Sequence, residues 1–164
     1  IRDRCKAMTA QFVYHTDVKS SWVDYNGHMN DAEYNRVFSD ATDAWLAYIG
    51  LDQEGIQSLH YTIFTLENHI TFLKEMKKYE PIEVRVSLYD YDSKRLHIFM
   101  EMLNDDMVCS AVYEVMLMGI DTVTNRPAPF PKSITESIIA YFNQTSDVNV
   151  PKQLGHQIGI SRNK

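Results

Sequence analysis

The chain has 164 residues, 45% hydrophobic, 12% aromatic and 23% charged, a size and balance that suit one globular domain able to bury roughly 70% of its unfolded surface without staples. With 16 Lys and Arg against 22 Asp and Glu, the net charge of −6 argues against general nucleic-acid binding. Only Cys5 and Cys109 are present, which argues against a disulfide framework or a cysteine zinc site and points to a reducing cytoplasm.

Residues 1–9 read as an N-terminal extension. Gln11 to Val23, rich in Phe, Val, Tyr, Thr and Trp, predicts a first strand with a break near Asp17. From Tyr34 the apolar residues Val37, Phe38, Ala41, Trp45, Tyr48 and Ile49 recur at helical steps until Gly50, predicting a long amphipathic helix. Asn30 with Glu33 reads as a capping box at its start. Leu51 to His60 carries no strong period and is expected to be a loop.

Tyr61 to Leu73 alternates as a strand, its Phe64, Leu66, Asn68, Ile70 and Phe72 face expected to be the more buried. A charged turn, Lys74 to Glu80, leads to a strand opening at Pro81 with Ile82, Val84, Val86 and Leu88 on one face. Leu96, Ile98, Met100 and Met102 mark the next strand, Asn104-Asp-Asp a hairpin, and Val108 to Ile120 a long strand expected to be central. Ser133 to Phe142 predicts a short C-terminal helix, and 146–164 a loose tail. The order predicts an α+β domain over 10–145, an antiparallel sheet against one long helix, with edges that a two-fold homodimer would protect. No apolar run approaches the roughly 20 residues of a membrane span, so no membrane partner is expected.

The segment Trp22-Val-Asp-Tyr-Asn-Gly-His-Met-Asn30 sets a carboxylate, Asp24, just ahead of the helix start. The first N–H groups of a helix lack internal partners and the macrodipole there favours negative charge. Thioester hydrolysis needs such donors for the developing oxyanion, and a carboxylate that attacks the carbonyl or activates water. Asp24-Tyr-Asn-Gly also reads as a simple turn.

Asp24, Gly27-His28-Met29-Asn30, Tyr34, the helix and the strand meander together resemble the hot-dog-fold acyl-CoA thioesterases of the 4-hydroxybenzoyl-CoA thioesterase type, over about residues 10–135. The resemblance implies a hot-dog fold, a five-stranded antiparallel sheet wrapped around a central helix. It also implies Asp24 as the catalytic carboxylate and the Asp31 backbone N–H as the oxyanion donor. Trp22-Val-Asp-Tyr-Asn-Gly-His-Met, Phe38-Ser-Asp-Ala-Thr-Asp-Ala, Tyr48-Ile-Gly-Leu and Lys94-Arg-Leu-His are further similar to the thioesterases associated with L-carnitine dehydrogenase. That group implies betainyl-CoA hydrolysis to glycine betaine.

A trimethylammonium head is commonly held by aromatic faces and carboxylates, so Trp45, Tyr48, Tyr61 and Tyr25 are candidates for a cage. Trp45 and Tyr48 read equally as the core face of the helix. Glu67 is a candidate second acid, His28 a supporting imidazole, Asn68 a polar pocket residue, and Asn30 a helix cap that also reaches substrate. Lys94 and Arg95 are candidates for the coenzyme A phosphates, with Lys74, Lys77 and Lys78 as the alternative. No metal is expected, since the histidines are scattered, and coenzyme A enters as part of the substrate rather than as a cofactor. A hot-dog enoyl-CoA hydratase using His28 with Glu67, and a non-catalytic acyl-CoA-binding module, are the rival readings. A homodimer or a dimer of dimers is the expected assembly.

Overall fold

The structure, a computed structural model, describes residues 11–162; the N-terminal extension and Cys5 lie outside the described residues. The elements in chain order are β1 (Phe12–Asp17), a single 3-10 turn (Ser20–Trp22), α1 (Asp31–Tyr48), α2 (Gln53–Leu59), β2 (Tyr61–Phe72), β3 (Pro81–Tyr91), β4 (Arg95–Leu103), β5 (Cys109–Asp121), β6 (Arg126–Pro127) and α3 (Lys132–Gln144). The five long strands form one antiparallel sheet in the order β1-β3-β4-β5-β2, and the short β6 pairs with β5. β3, β4 and β5 are joined by short turns, whereas β1 and β2 close the two edges. This is the hot-dog fold in its α+β form, and β5 lies inside the sheet as its apolar sequence predicts.

Strand alternation decides which face meets the helix. Ile82, Val84, Val86 and Leu88 of β3, Leu96, Ile98, Met100 and Met102 of β4, and Ala111, Tyr113, Val115 and Leu117 of β5 are buried in one cluster. The α1 stripe Tyr34, Val37, Phe38, Ala41, Trp45 and Leu46 fills the other side of that cluster, and Phe38 stacks on Tyr113 with ring centroids 4.8 Å apart. α3 closes the end of the core near the C-terminus of α1. The Tyr141 hydroxyl accepts the Phe12 N–H at 3.0 Å and donates to the Val86 carbonyl, so one side chain ties the last helix to β1 and β3. No helix among the described residues is long and apolar enough to cross a membrane.

Three local expectations change. The segment after Gly50 is not a loop but contains α2, capped by Asp52, whose carboxylate accepts the Gly55 N–H at 2.7 Å. β1 ends at Asp17 and the chain then turns, so the extended segment stops short of Val23. In β2 the register shifts between Thr65 and Glu67. That bulge exchanges the two faces: Tyr61 and Ile63 face the helix before it, Asn68, Ile70 and Phe72 after it. Phe64 and Leu66, expected to be buried, are 55% and 52% exposed.

Candidate active site

Asp24 lies in a tight loop closed by a bridge between Val23 and Met29. Its N–H donates to the His28 carbonyl at 2.9 Å, and its own carbonyl accepts the Gly27 N–H at 3.0 Å. The carboxylate Oδ1 accepts the N–H groups of Asn26 and His28 at 2.8 and 3.2 Å. Gly27 takes φ +80°, in the left-handed region that suits glycine. The turn reading and the chemical reading therefore coexist: the loop fixes the carboxylate through one oxygen, and Oδ2 takes no bond from the described residues.

The loop between β2 and β3 braces this turn. Met29 donates to the Met76 carbonyl at 2.8 Å, Met76 donates to the Tyr34 hydroxyl at 3.0 Å, and Tyr34 lies 3.4 Å from the Lys74 carbonyl. Met76 is fully buried. Burial, more than the nearby Glu75 and Glu80, raises the Tyr34 phenol above its ordinary pKa, against the lowering effect of the Met76 N–H, so Tyr34 works as a neutral strut. His28 pairs across this seam, its backbone bridged to Lys77 and its Nδ1 3.2 Å from the Glu75 carboxylate. Glu75 was not singled out from the sequence, because it sits in an otherwise ordinary charged turn.

At the helix start the expected capping box does not form. Asn30 is the N-cap by backbone conformation but makes no side-chain cap bond; Glu33 pairs with Arg36 at 2.7 Å, and the Asp31 carboxylate takes the Ala32 N–H at 2.9 Å. The Asp31 N–H is left without a partner among the described residues. It opens beside a cavity of about 330 Å³ lined by Met29, Asp31, Tyr34, Phe72, Leu73 and Lys74. A free N–H at a helix N-terminus next to a cavity with an aromatic wall can hold a carbonyl oxygen.

The remaining candidates disperse. Trp45 is fully buried, its ring 5.4 Å from Tyr141. Tyr61 is buried, donates to the Ala128 carbonyl at 2.7 Å, and places its hydroxyl where a Cβ at Gly119 would stand; burial raises its phenol pKa strongly. Tyr48 lies against Phe12 and Tyr141 at the far end of α1, and Tyr25 is 98% exposed in the Asp24 loop. These four rings form no cage in the protomer, because the helical spacing of Trp45 and the first position of β2 both deliver side chains to the core.

Glu67 pairs in register with Met116, on the sheet face away from the helix. It lines an outer cavity with His69, His97, Glu114 and His156, so in the protomer it does not meet Asp24. Asn68 faces the helix side, its amide 3.5 Å from the Tyr113 hydroxyl. Lys94 and Arg95 open β4 at the end of the sheet opposite the start of α1, and Arg95 is already paired with Asp92 at 2.6 Å. Lys74 lines the cavity at the helix start, Lys77 is bridged to His28, and the Lys78 N–H donates to the Gly27 carbonyl at 3.3 Å. The tail reaches the outer face, where the Gly155 N–H donates to Glu114 at 2.7 Å and His97 meets the other oxygen of that carboxylate at 2.6 Å.

A Betainyl-CoA thioesterase from Pseudomonas aeruginosa is 40% identical over 148 residues, 90% of this chain and 93% of that protein. An Agrobacterium fabrum L-carnitine dehydrogenase/betainyl-CoA thioesterase is 35% identical over 93% of this chain, which spans 31% of that longer protein. A Staphylococcus aureus structure solved in complex with CoA superposes with a TM-score of 0.89 at 38% identity, covering 92% of this chain and 96% of that one. A DHNA-CoA thioesterase from the same organism, 14% identical with a TM-score of 0.71 over 83% of this chain and 91% of its own, shares the fold. The profile of the Thioesterase-like superfamily matches residues 18–138, and the chain belongs to that superfamily.

Proposed function

We propose that the protein hydrolyses a small acyl-CoA thioester to the free acid and coenzyme A, with betainyl-CoA as the acyl donor. The observation that carries the reading is a carboxylate fixed by its own loop immediately ahead of a helix whose first N–H is free. The named relatives and the CoA-bound neighbour support the substrate class.

In this mechanism the thioester oxygen takes the Asp31 N–H. Asp24 accepts a proton from water as the water oxygen attacks the carbonyl carbon. The C–S bond then breaks, and the proton passes from Asp24 to the departing thiolate. The alternative is direct attack by Asp24 with cleavage of the C–S bond and departure of the CoA thiolate, giving a mixed anhydride that water opens to the free acid and the Asp24 carboxylate, a water proton passing to the thiolate. Asp24 has one oxygen available for either route. The Ala32 N–H is spent on the Asp31 carboxylate, so the donor set at the helix start is small. We assign the coenzyme phosphates to Lys74, Lys77 and Lys78, which flank the Asp24 loop and the helix start.

The assembly we propose is a two-fold dimer through the free edge of β2. That strand is unpaired on one side and carries exposed Phe64, Leu66 and Phe72, with Leu73 just beyond its end, an apolar edge that antiparallel pairing with a second copy would cover. We place the enzyme in the cytoplasm, on the sparse cysteine content, and link it functionally to L-carnitine dehydrogenase, on the joined relatives.

The test is release of free thiol from betainyl-CoA, acetyl-CoA, straight-chain acyl-CoAs and an aryl-CoA. Rapid release from betainyl-CoA supports the full reading. Preference for another acyl group keeps the hydrolase and removes betainyl-CoA; no release from any member overturns the hydrolase reading.

A further inference from the structure

A third cavity, about 490 Å³, lies between α1, α2 and the start of β2, with Leu46, Ala47, Leu51, Ile56 and Ile63 among its walls. One α1 carboxylate, Asp43, enters it, and no lysine, arginine or histidine lines it. The other acid on its wall, Asp52, is held by α2 as its cap. Asp43 is exposed in the protomer and makes no hydrogen bond or ion pair among the described residues; partial desolvation by its neighbours, with Asp40 adding repulsion, raises its carboxyl above the ordinary carboxylate pKa. An apolar pocket with one uncompensated carboxylate suits a ligand that is both cationic and greasy, which describes a quaternary ammonium group and not a hydrated ammonium.

Within one protomer this pocket cannot serve the helix start. Asp43 follows Asp31 by twelve residues of α1, about 18 Å along the axis, far beyond the length of a two-carbon acyl group. A second copy changes the distance. β2 runs Tyr61–Phe72, and antiparallel self-pairing about its middle, near Glu67, sets Thr62 and Ile63 of one copy opposite Phe72 and Thr71 of the other. Thr62 and Ile63 line the Asp43 pocket, and Phe72 lines the cavity at the Asp31 N–H. The two cavities then face each other across the dyad, each joining the reacting end of one copy to the carboxylate pocket of the other.

We infer that Asp43 is the counter-ion that selects a quaternary ammonium acyl head, acting across the two-fold on substrate held by Asp24 and Asp31 of the other copy. The inference rests on the thioesterase reading above. Phe72, which meets Tyr34 edge-on with centroids 5.1 Å apart, supplies the aromatic face that the protomer's buried Trp45 and Tyr61 do not.

The experiment compares kcat/KM for betainyl-CoA and for 3,3-dimethylbutyryl-CoA, the same shape with carbon in place of the charged nitrogen, in wild type, Asp43→Asn and Asp43→Glu. The expected result is a wild-type preference for the cation that falls about 100-fold in Asp43→Asn and is largely kept in Asp43→Glu. Equal losses on both substrates, or an unchanged preference, overturn the assignment of Asp43 while leaving the hydrolase intact. Absence of hydrolysis by wild type on every acyl-CoA overturns the hydrolase reading, and the selector with it.

Mixing separately prepared Asp24→Asn and Asp43→Asn proteins tests the cross-subunit arrangement. Random exchange gives half mixed dimers with one intact site in two, so betainyl-CoA turnover returns to about a quarter of wild type. No gain over the parents, with exchange verified by mass after uniform nitrogen-15 labelling of one parent, overturns action across the two-fold.

Discussion

The two ends of α1 differ in how they use their polar groups. At the C-terminal end Trp45, Tyr48, Phe12 and Tyr141 interlock, and the Tyr141 hydroxyl satisfies two backbone groups. At the N-terminal end, among the described residues, the Asp31 N–H is free, the Asn30 side chain makes no cap bond, and the nearby carboxylate of Asp24 is bonded through one oxygen only. A fully capped start would stabilise the helix by about 1 kcal/mol. The sequence has the residues for such a cap and the fold turns them elsewhere, Glu33 to Arg36 and Asp31 to its own next N–H. One end of the helix is built to hold the domain together, the other to hold something that arrives.

The sharpest way to break that comparison is Asp24→Asn. The amide oxygen keeps both loop bonds, so the melting temperature is expected to stay close to wild type while kcat falls about 10²–10⁴-fold, the worth of a general base; thiol release beside a thermal melt reads both. A variant that loses stability and activity together would return Asp24 to a turn former. At the other end, Trp45→Ala is expected to cost about 3–5 kcal/mol in urea unfolding. If Trp45→Ala instead changed substrate preference with little loss of stability, Trp45 would belong to the site after all.

Tyr34→Phe falls between the ends. It leaves the buried Met76 N–H without its acceptor, which costs about 1–3 kcal/mol, and it loosens the seam that fixes the Asp24 loop. Urea unfolding and kcat are expected to fall together. The smallest effect is a pH dependence at Asp43. Its folded carboxyl binds a proton more tightly than in the unfolded chain, so the protein is most stable with respect to this group below the ordinary carboxylate pKa and loses that contribution as pH rises through the folded value. Asp43→Asn is therefore expected to be slightly more stable than wild type at neutral pH, with the gap closing on acidification; a gap that widens toward low pH contradicts the direction.

Much of this was legible because burial imposes period. The α1 stripe and the alternation in β3 and β4 are direct consequences of one face meeting a core, and the residues named from the pattern are buried except Tyr48, which is 59% exposed at the end of the helix. β2 was misread because a single bulged residue reverses the parity of every residue after it, and nothing in Thr65-Leu-Glu67 marks the bulge. α2 was missed because seven residues are too few to show a period, though Asp52 three places before Gly55 was its cap signal. The Asp24 turn and the helix start could be found from local order, since both are near neighbours in the chain. The aromatic cage could not be judged that way: whether a tyrosine faces core or solvent is decided by elements far away in sequence. Asp43 belongs to the segment Phe38-Ser-Asp-Ala-Thr-Asp-Ala, and its role is invisible in one dimension because α2, too short to show a period, supplies the other wall of its cavity.

The Tyr141 clasp bears on the order of events during synthesis. β1 leaves the ribosome dozens of residues before its partner β3, and the hydroxyl that holds the Phe12 amide belongs to α3, 129 residues further on. The edge of the sheet cannot be sealed until α3 has been made. The amide of Phe12 is thus a natural timer: its protection from hydrogen exchange in nascent chains of increasing length is expected to appear only once Tyr141 has cleared the exit tunnel, with chains stopped before α3 leaving that strand open to solvent and to chaperones.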